Sequence, residues 1–247
     1  MKEHLTTLLL FLISTDTTFG KDQNTSLFKA GNVAFHDGRF GQALTNYQAQ
    51  INTGVVSAPL HFNLATAAFH DRQLGRAIFH YRQAHSLDPR DKNIHHNLKI
   101  ARDEVHNGSP PKPGLWQRLT GFSTLNEWTL VAATPLTAWF IWLATINIRP
   151  QWKRHGAIIR PLFGGAAIIL TLIAVFTWHS QTSHKWGVIN GETVARFGPV
   201  KASPDQFKWF DGAEVEINRV HGEWLLVRDI TDRQGWVHSE SILRPDS

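Results

Sequence analysis

Histidine is the residue type with the widest chemical potential in this sequence, because an imidazole can ligate a metal ion or exchange a proton near neutral pH. The chain has 14 histidines and no cysteine. Eight histidines fall within residues 21–106: His36, His61, His70, His80, His85, His95, His96 and His106. No two of them are three or four residues apart on one helix, and the adjacent His95 and His96 would point about 100° apart. The spacing therefore predicts no metal site.

Motifs that build catalytic sites are also missing from the sequence. It contains no Gly-x-Ser-x-Gly elbow, no Gly-rich phosphate loop and no His-Glu-x-x-His pair. Without cysteine, neither thiolate catalysis nor a disulfide is possible. The net charge of +5 comes mainly from residues 107–185, with 7 cations against 1 anion, whereas residues 186–247 carry 7 against 10. We therefore predict a non-enzymatic protein with no cofactor and no nucleic-acid partner.

A 34-residue period in the N-terminal third aligns Asn24–Ser57 with Ala58–Asp91, with eight identical pairs. This period is typical of helix-turn-helix solenoids. Phe28, Asn32 and Phe35 follow the i, i+4, i+7 spacing of one helix face, and the same stripe returns 34 residues later. The candidate partner-binding residues of this face are Phe28, Asn32, Phe35, His36, Phe62, Thr66, Phe69 and His70. The alternative is that the four phenylalanines are ordinary packing between helices.

The small and aromatic residues of these units resemble the tetratricopeptide repeat. They are Gly31, Gly38, Phe40, Ala43 and Tyr47, then Leu64, Ala65, Leu74, Ala77, Tyr81, Ala84 and Pro89. The resemblance implies that the opening helices line a concave groove that binds peptides or proteins. A third opening helix over Lys92–Val105 would give two and a half units, near the lower limit for an independently stable solenoid.

Two flanking segments are not expected to belong to the repeats. Residues 1–20 have a short apolar run and small residues before Lys21, which predicts a secretory signal peptide, with a retained signal anchor as the alternative. Residues 107–127 begin with a proline-rich stretch that predicts a stiff tether. Its end, Leu115–Glu127, is either an interfacial helix or a plain connector.

Two apolar runs over residues 128–148 and 158–178 predict a transmembrane helical hairpin, because about 20 residues suffice to cross a bilayer. A basic turn at residues 149–157 joins them. The cations that would set the topology are Arg149, Lys153, Arg154 and Arg160. Since Lys and Arg stay on the cytoplasmic side, we expect both terminal domains to be periplasmic in a two-pass protein of the bacterial inner membrane. The alternative is a pair of buried core helices.

Residues 186–245 switch to short runs rich in β-branched and aromatic residues between turn signals. The run lengths predict a small all-β barrel. The order Val194-Ala-Arg-Phe-Gly-Pro199, Phe207, Asp211-Gly212, Val215, Glu223-Trp224, Val227 and Gly235-Trp236-Val237 resembles bacterial SH3-like domains, which implies binding of cell-wall peptides or proteins. The candidate ligand residues are Phe197, Trp209, Trp224 and Trp236. We expect Trp224 and Trp236 to be mostly core, and Phe197 and Trp209 to be the surface pair.

The predicted fold class is thus multidomain: an all-α tetratricopeptide-like solenoid, a transmembrane hairpin and an all-β SH3-like barrel. This order of modules resembles the BatE family of the Bacteroides aerotolerance group. The resemblance implies a membrane scaffold that works with von Willebrand factor A-type membrane proteins and indirectly with a MoxR-type ATPase, in contact with the lipid bilayer. The alternative function is an envelope sensor or anchor whose SH3-like domain binds peptidoglycan.

Overall fold

The computed structural model describes residues 26–106, 125–148, 164–176 and 185–245. These ranges contain seven α-helices and one seven-stranded antiparallel sheet. The chain forms two compact units, Met1–Pro111 with Trp186–Ser247 and Lys112–Lys185. The repeat helices and the sheet thus belong to the same unit. The prediction of separate all-α and all-β modules around a membrane hairpin is wrong, and the fold is α plus β.

Five helices of the first unit follow the predicted 34-residue period. They are α1 (26–36), α2 (Phe40–Asn52), α3 (Ala58–His70), α4 (Leu74–Leu87) and α5 (Lys92–His106). Helix α3 begins where the Ser57 hydroxyl accepts a hydrogen bond from the Leu60 amide at 3.3 Å. The first four helices form two pairs, α1 with α2 and α3 with α4. The turn inside each pair contains one residue with positive φ, which is Gly38 (74°) in the first pair and Arg72 (61°) in the second. Arg72 thus adopts a left-handed conformation that glycine adopts more easily.

Each helix pair is fixed by a buried tyrosine on its second helix. The Tyr47 hydroxyl donates to Asn32 Oδ1 at 2.7 Å, and the Tyr81 hydroxyl donates to Thr66 Oγ1 at 3.0 Å. Gly31 lies so close to the Tyr47 ring that no side chain would fit there. The two repeats therefore share one hydrogen-bonding scheme, in which a polar side chain of the first helix accepts the hydroxyl of the tyrosine on the second.

The second unit contains α6 (Leu125–Ile148) and α7 (164–176). Among the described residues, no helix combines the length and the apolar character needed to span a bilayer. Helix α6 has 24 residues, enough for about 36 Å. In α7 only 13 residues are described as helix, enough for about 20 Å. This finding overturns the predicted transmembrane hairpin and the two-pass inner-membrane localisation with periplasmic terminal domains.

The described ranges leave out several predicted features. Residues 1–25, which include the predicted signal peptide, lie outside them, and so does most of the proline-rich linker. The same holds for the four cations expected to set the topology, Arg149, Lys153, Arg154 and Arg160.

The sheet of the first unit has the strand order β3-β2-β6-β5-β4-β1-β7. Its strands are β1 (Trp186–Ile189), β2 (Thr193–Arg196), β3 (Asp205–Trp209), β4 (Glu214–His221), β5 (Trp224–Asp229), β6 (Gln234–His238) and β7 (Ile242–Leu243). A 3₁₀ turn, Ser239–Ser241, connects β6 to β7. Where a small all-β barrel was predicted, this is one antiparallel sheet whose hydrogen-bonded order ends at β3 and β7. Alternate residues such as Leu225 and Val227 are fully buried on its inner side.

Helix α4 and the end of α5 pack against the sheet. The Phe79 ring lies 5.6 Å from the Trp186 ring, and Val188 of β1 is buried in the same apolar cluster as the repeat helices. Gly212, in the turn before β4, contacts Ile78 and Val105. Helix α5 is the half repeat, and within the described residues no second helix follows it to close the solenoid. The sheet therefore covers that side of the solenoid.

Candidate functional site

The open side of the repeats is clearest on α3, which packs between α2 and α4. Leu60, Leu64 and Ala68 on its other sides are buried. The open side continues onto α1 and α5 at positions 34 residues earlier and later. We call this surface the repeat face: Phe28, Asn32, Phe35, His36, Phe62, Asn63, Thr66, Phe69, His70, His96, Ile100 and Glu104.

Side-chain contacts hold α1 and α3 of the repeat face in register. Asn63 Nδ2 on α3 donates to Asn32 Oδ1 on α1 at 3.1 Å. The His70 ring lies 5.6 Å from Phe35 and is stacked on Phe40 at 4.9 Å. Because these contacts cross between helices, they fix the shape of the face before any partner binds.

The eight residues predicted for the groove all lie on this face, in three different situations. The four phenylalanines are half-buried and pack against the helix core, so part of each ring is used for packing between helices and part is exposed. Asn32 and Thr66 accept the tyrosine hydroxyls and thus contribute to the fold. His36 and His70 are exposed. Ile100, which the sequence analysis did not select, is also exposed.

A second candidate surface is the outer face of the sheet. Trp224 and Leu226 of β5 point away from the core, beside Trp236 and His238 of β6, because Leu226 pairs with Trp236 and Trp224 with His238. Both tryptophans are half-buried, not core. They belong to an aromatic surface on the solvent side of the sheet.

The four predicted ligand residues of the sheet divide between core and surface differently from what was expected. Trp209 is 1% exposed and donates from Nε1 to Asp229 Oδ2 at 3.2 Å, so it is a core residue. Phe197 is 65% exposed, as expected for a surface residue. Phe197, Trp224 and Trp236 therefore remain candidates for ligand binding at the surface. Trp209 is no longer a candidate, because it is buried in the core.

A cleft of about 440 Å³ opens on the outer sheet face. We call it the sheet cleft, and its lining is Thr193, Val194, Arg196, Lys201, Trp224, His238, Glu240 and Ser241. Arg196 Nη1 donates to the carbonyls of Lys201 at 2.9 Å and Ser203 at 2.7 Å. These bonds tie the loop after β2 to the strand, so the cleft has a fixed wall on that side.

The strongest electrostatic cluster lies at the junction of helices and sheet. Glu214 is buried, and Arg102 binds it with both Nε (2.6 Å) and Nη2 (2.9 Å). Arg82 Nη1 donates to the same carboxylate at 2.8 Å, and its guanidinium lies 3.6 Å from the centre of the Trp186 ring. Burial lowers the pKa of Arg82 to about 10, although Glu214 acts in the opposite direction. Arg82 is thus charged at neutral pH, and the hydrogen bonds of the cluster hold α4 and α5 to β4.

A buried histidine pair between α3 and α4 was not foreseen. His61 Nδ1 and His80 Nδ1 are 3.1 Å apart, so one ring donates a hydrogen bond to the other. Burial, followed by the charges of His61 and Arg76, lowers the pKa of His80 to about 3, and burial also lowers the pKa of His61. The pair is therefore neutral when the protein is folded at neutral pH.

This pair makes stability depend on pH in a defined direction. The unfolded chain binds protons at these histidines near pH 6.5, whereas the folded chain excludes them until a lower pH. As the pH falls from about 6.5 towards 4, we expect the free energy of unfolding to decrease by up to about 1.4 kcal/mol per pH unit for each excluded proton. Urea unfolding at several pH values measures this slope.

The matched variant for this experiment is His61→Leu with His80→Leu, which removes both ring nitrogens at similar volume. Its slope between pH 6.5 and 5 should be shallower than that of the wild type, whereas His96→Gln on the exposed side of α5 should leave the slope unchanged. Equal slopes in all three proteins would contradict the assignment, whatever their absolute stabilities.

Comparison with known proteins assigns no relative to this chain: no protein-family model matches it, and neither does any curated protein. Within the described ranges, no three His, Asp or Glu side chains come together as a metal site would require. The class of the protein is therefore defined by its fold, as helix-turn-helix repeats packed against an antiparallel sheet.

Proposed function

We propose that the protein is a non-enzymatic scaffold that binds a peptide segment of a partner protein on the repeat face. The observation that carries the proposal is the composition of that face. Four half-buried phenylalanines and the exposed Ile100 stand on the open sides of three adjacent helices. Aromatic anchors held in place by their own packing are the usual centres of binding energy at protein interfaces.

The geometry of the face suits an extended or helical segment more than a small molecule. It crosses three helices, and packed helices lie 8–10 Å apart, so its width is about 20 Å. Asn63 and His70 supply polar groups between the rings. Such a surface can bind apolar side chains of a partner and hydrogen-bond its backbone.

The resemblance to the BatE family supports the same class of function and suggests which partners to test first. It implies von Willebrand factor A-type proteins, and a MoxR-type ATPase reached through them. The membrane placement implied by that resemblance is not part of the proposal.

The proposal is tested with a phage-displayed library of random 12-residue peptides, selected against the immobilised full chain. Enriched peptides are then synthesised, and their affinity is measured by fluorescence polarisation. Ile100→Glu and His36→Glu place a carboxylate on α5 and α1 of the repeat face. Each should weaken binding about tenfold, since a contact with the peptide is replaced by a charge that must be desolvated.

The control is Leu87→Glu. Leu87 and Ile100 are both 39% exposed, but Leu87 ends α4 and lies off the repeat face. This variant should bind the selected peptides as the wild type does. Selection that enriches no peptide, or peptides that bind the two face variants at wild-type affinity, would refute the proposal.

A further inference from the structure

The sheet cleft has a direction, which follows from the strand register. Arg196 of β2 pairs with Trp236 of β6, so two residues further along this antiparallel pair Val194 lies opposite His238. His238 in turn pairs with Trp224 of β5. The row of Arg196 and the row of Trp224 are therefore about 7 Å apart along the strands. Glu240 follows another two residues beyond His238, in the 3₁₀ turn.

The two ends of the cleft carry opposite charges. At one end, Arg196 is paired with Asp205 at 3.0 Å, while Lys201 makes no ion pair within the described residues and adds a net positive charge. At the other end, Glu240 and Glu223 both lie near His238, at 3.4 and 3.3 Å from its ring nitrogens. Two carboxylates around one imidazole leave that end negative even when His238 is protonated.

The middle of the cleft is apolar with a hydroxyl rim. The half-buried Trp224 ring lies against His238, with ring centres 5.6 Å apart in an edge-on arrangement. Thr193 and Ser241 add hydroxyl groups to the lining. A ligand that fits this pattern has an anionic end, an apolar middle and a cationic end.

We propose that the sheet cleft binds a short zwitterionic peptide with free termini. Its C-terminal carboxylate lies at Lys201, its ammonium group lies at Glu240, and an apolar side chain covers Trp224. Three residues span about 10 Å when extended, enough to cover the roughly 7 Å between the rows of Arg196 and Trp224 and to reach towards Glu240 beyond them. The site is separate from the repeat face and does not depend on the function proposed for it.

The test uses the tripeptide Ala-Leu-Ala with the full chain, followed by the NMR shift of the Trp224 indole proton, which is assigned with Trp224→Phe. Saturable shifts are expected. Acetylating the N-terminus or amidating the C-terminus should each weaken binding at least fivefold, because each cap removes one charge pair at an end of the cleft.

Charge exchange at the two ends gives the sharper result. Lys201→Glu and Glu240→Lys alone should each weaken binding by about tenfold, whereas the double exchange should restore it to within about threefold, with the peptide reversed. Lys99→Glu on the exposed side of α5 is the control and should have no effect, as should Ile100→Glu on the repeat face.

Three outcomes overturn the proposal. The first is no shift of the Trp224 indole at peptide concentrations up to about 10 mM. The second is equal affinity for free and capped peptides. The third is a double-exchange variant that binds the peptide more weakly than either single variant. If the chain sediments with purified peptidoglycan while the tripeptide gives no shift, the cleft recognises a cell-wall polymer and the proposal fails.

Discussion

Replacing Glu214 by glutamine is expected to lower the free energy of unfolding by about 3 to 5 kcal/mol, because two partly buried guanidinium groups lose the buried carboxylate that is their shared counter-charge. Arg82 and Arg102 together make three hydrogen bonds to this carboxylate. The variant keeps the shape of the side chain, so the loss reports the charge and not a cavity. Urea unfolding of the full chain, followed by circular dichroism, measures it.

The control for this prediction is Glu216→Gln, two residues further along β4. Glu216 pairs with Arg228 at 2.8 Å, but both side chains are more than a third exposed. Exposed pairs of this kind contribute about 0 to 1 kcal/mol. If both variants lose the same small amount, the junction between helices and sheet does not depend on Glu214.

Alanine at Gly75 is expected to destabilise the protein by about 3 kcal/mol, because the added methyl group would overlap the backbone of the sheet. The Cβ would meet the Ile189 carbonyl oxygen and the Asp211 carboxylate, while the Gly75 amide donates to Asp211 Oδ2 at 3.0 Å. A backbone carbonyl cannot move aside as a flexible side chain can. Thermal and urea unfolding should both show the loss.

The chain contains its own control for this substitution. Gly41 is the equivalent residue 34 positions earlier, and an added Cβ there meets nothing within 4 Å. Gly41→Ala should stabilise the protein by about 0.5 to 1 kcal/mol, the ordinary preference of a helix for alanine over glycine. Opposite signs for the two variants are the result that the structure requires, and equal signs would contradict the packing of α4 on the sheet.

The local features of the fold could be predicted from the sequence because each has a periodic signal. The recurrence of Tyr81 at 34 residues from Tyr47 marks two helix pairs, and the structure shows both tyrosines bonded in the same way. The short β-branched and aromatic runs of residues 186–245 predicted strands, and the structure has a seven-stranded sheet there.

Contacts between distant parts of the chain had no such signal. Gly75 and Asp211 are 136 residues apart, and Arg82 and Glu214 are 132 apart, so no local spacing relates them. The histidine pair also lacked a repeated signal, since the residues 34 positions before His61 and His80 are Leu27 and Asn46. A repeat pattern predicts only the contacts that the repeats share.

Two errors have separate physical causes. The membrane hairpin was predicted from the length of two apolar runs with few charges, whereas no helix of the described residues combines the length and apolar character that a membrane span needs. Trp209 was placed at the surface because strand alternation fixes two faces without saying which is inside. The pairing register of β2 with β3 also shifts between Ala195 and Arg196, and no residue pattern in the sequence predicted this shift.

The packing of α4 against the sheet has a consequence for synthesis on the ribosome. Ile78 and Phe79 are translated long before Trp186, which follows the end of α5 by about 80 residues. At 5 to 20 residues per second, the roughly 80 residues between the end of α5 and Trp186 alone take about 4 to 16 seconds to translate, and during that time the strands that cover this apolar surface are absent. Nascent chains halted before residue 186 should therefore recruit chaperones that finished chains do not.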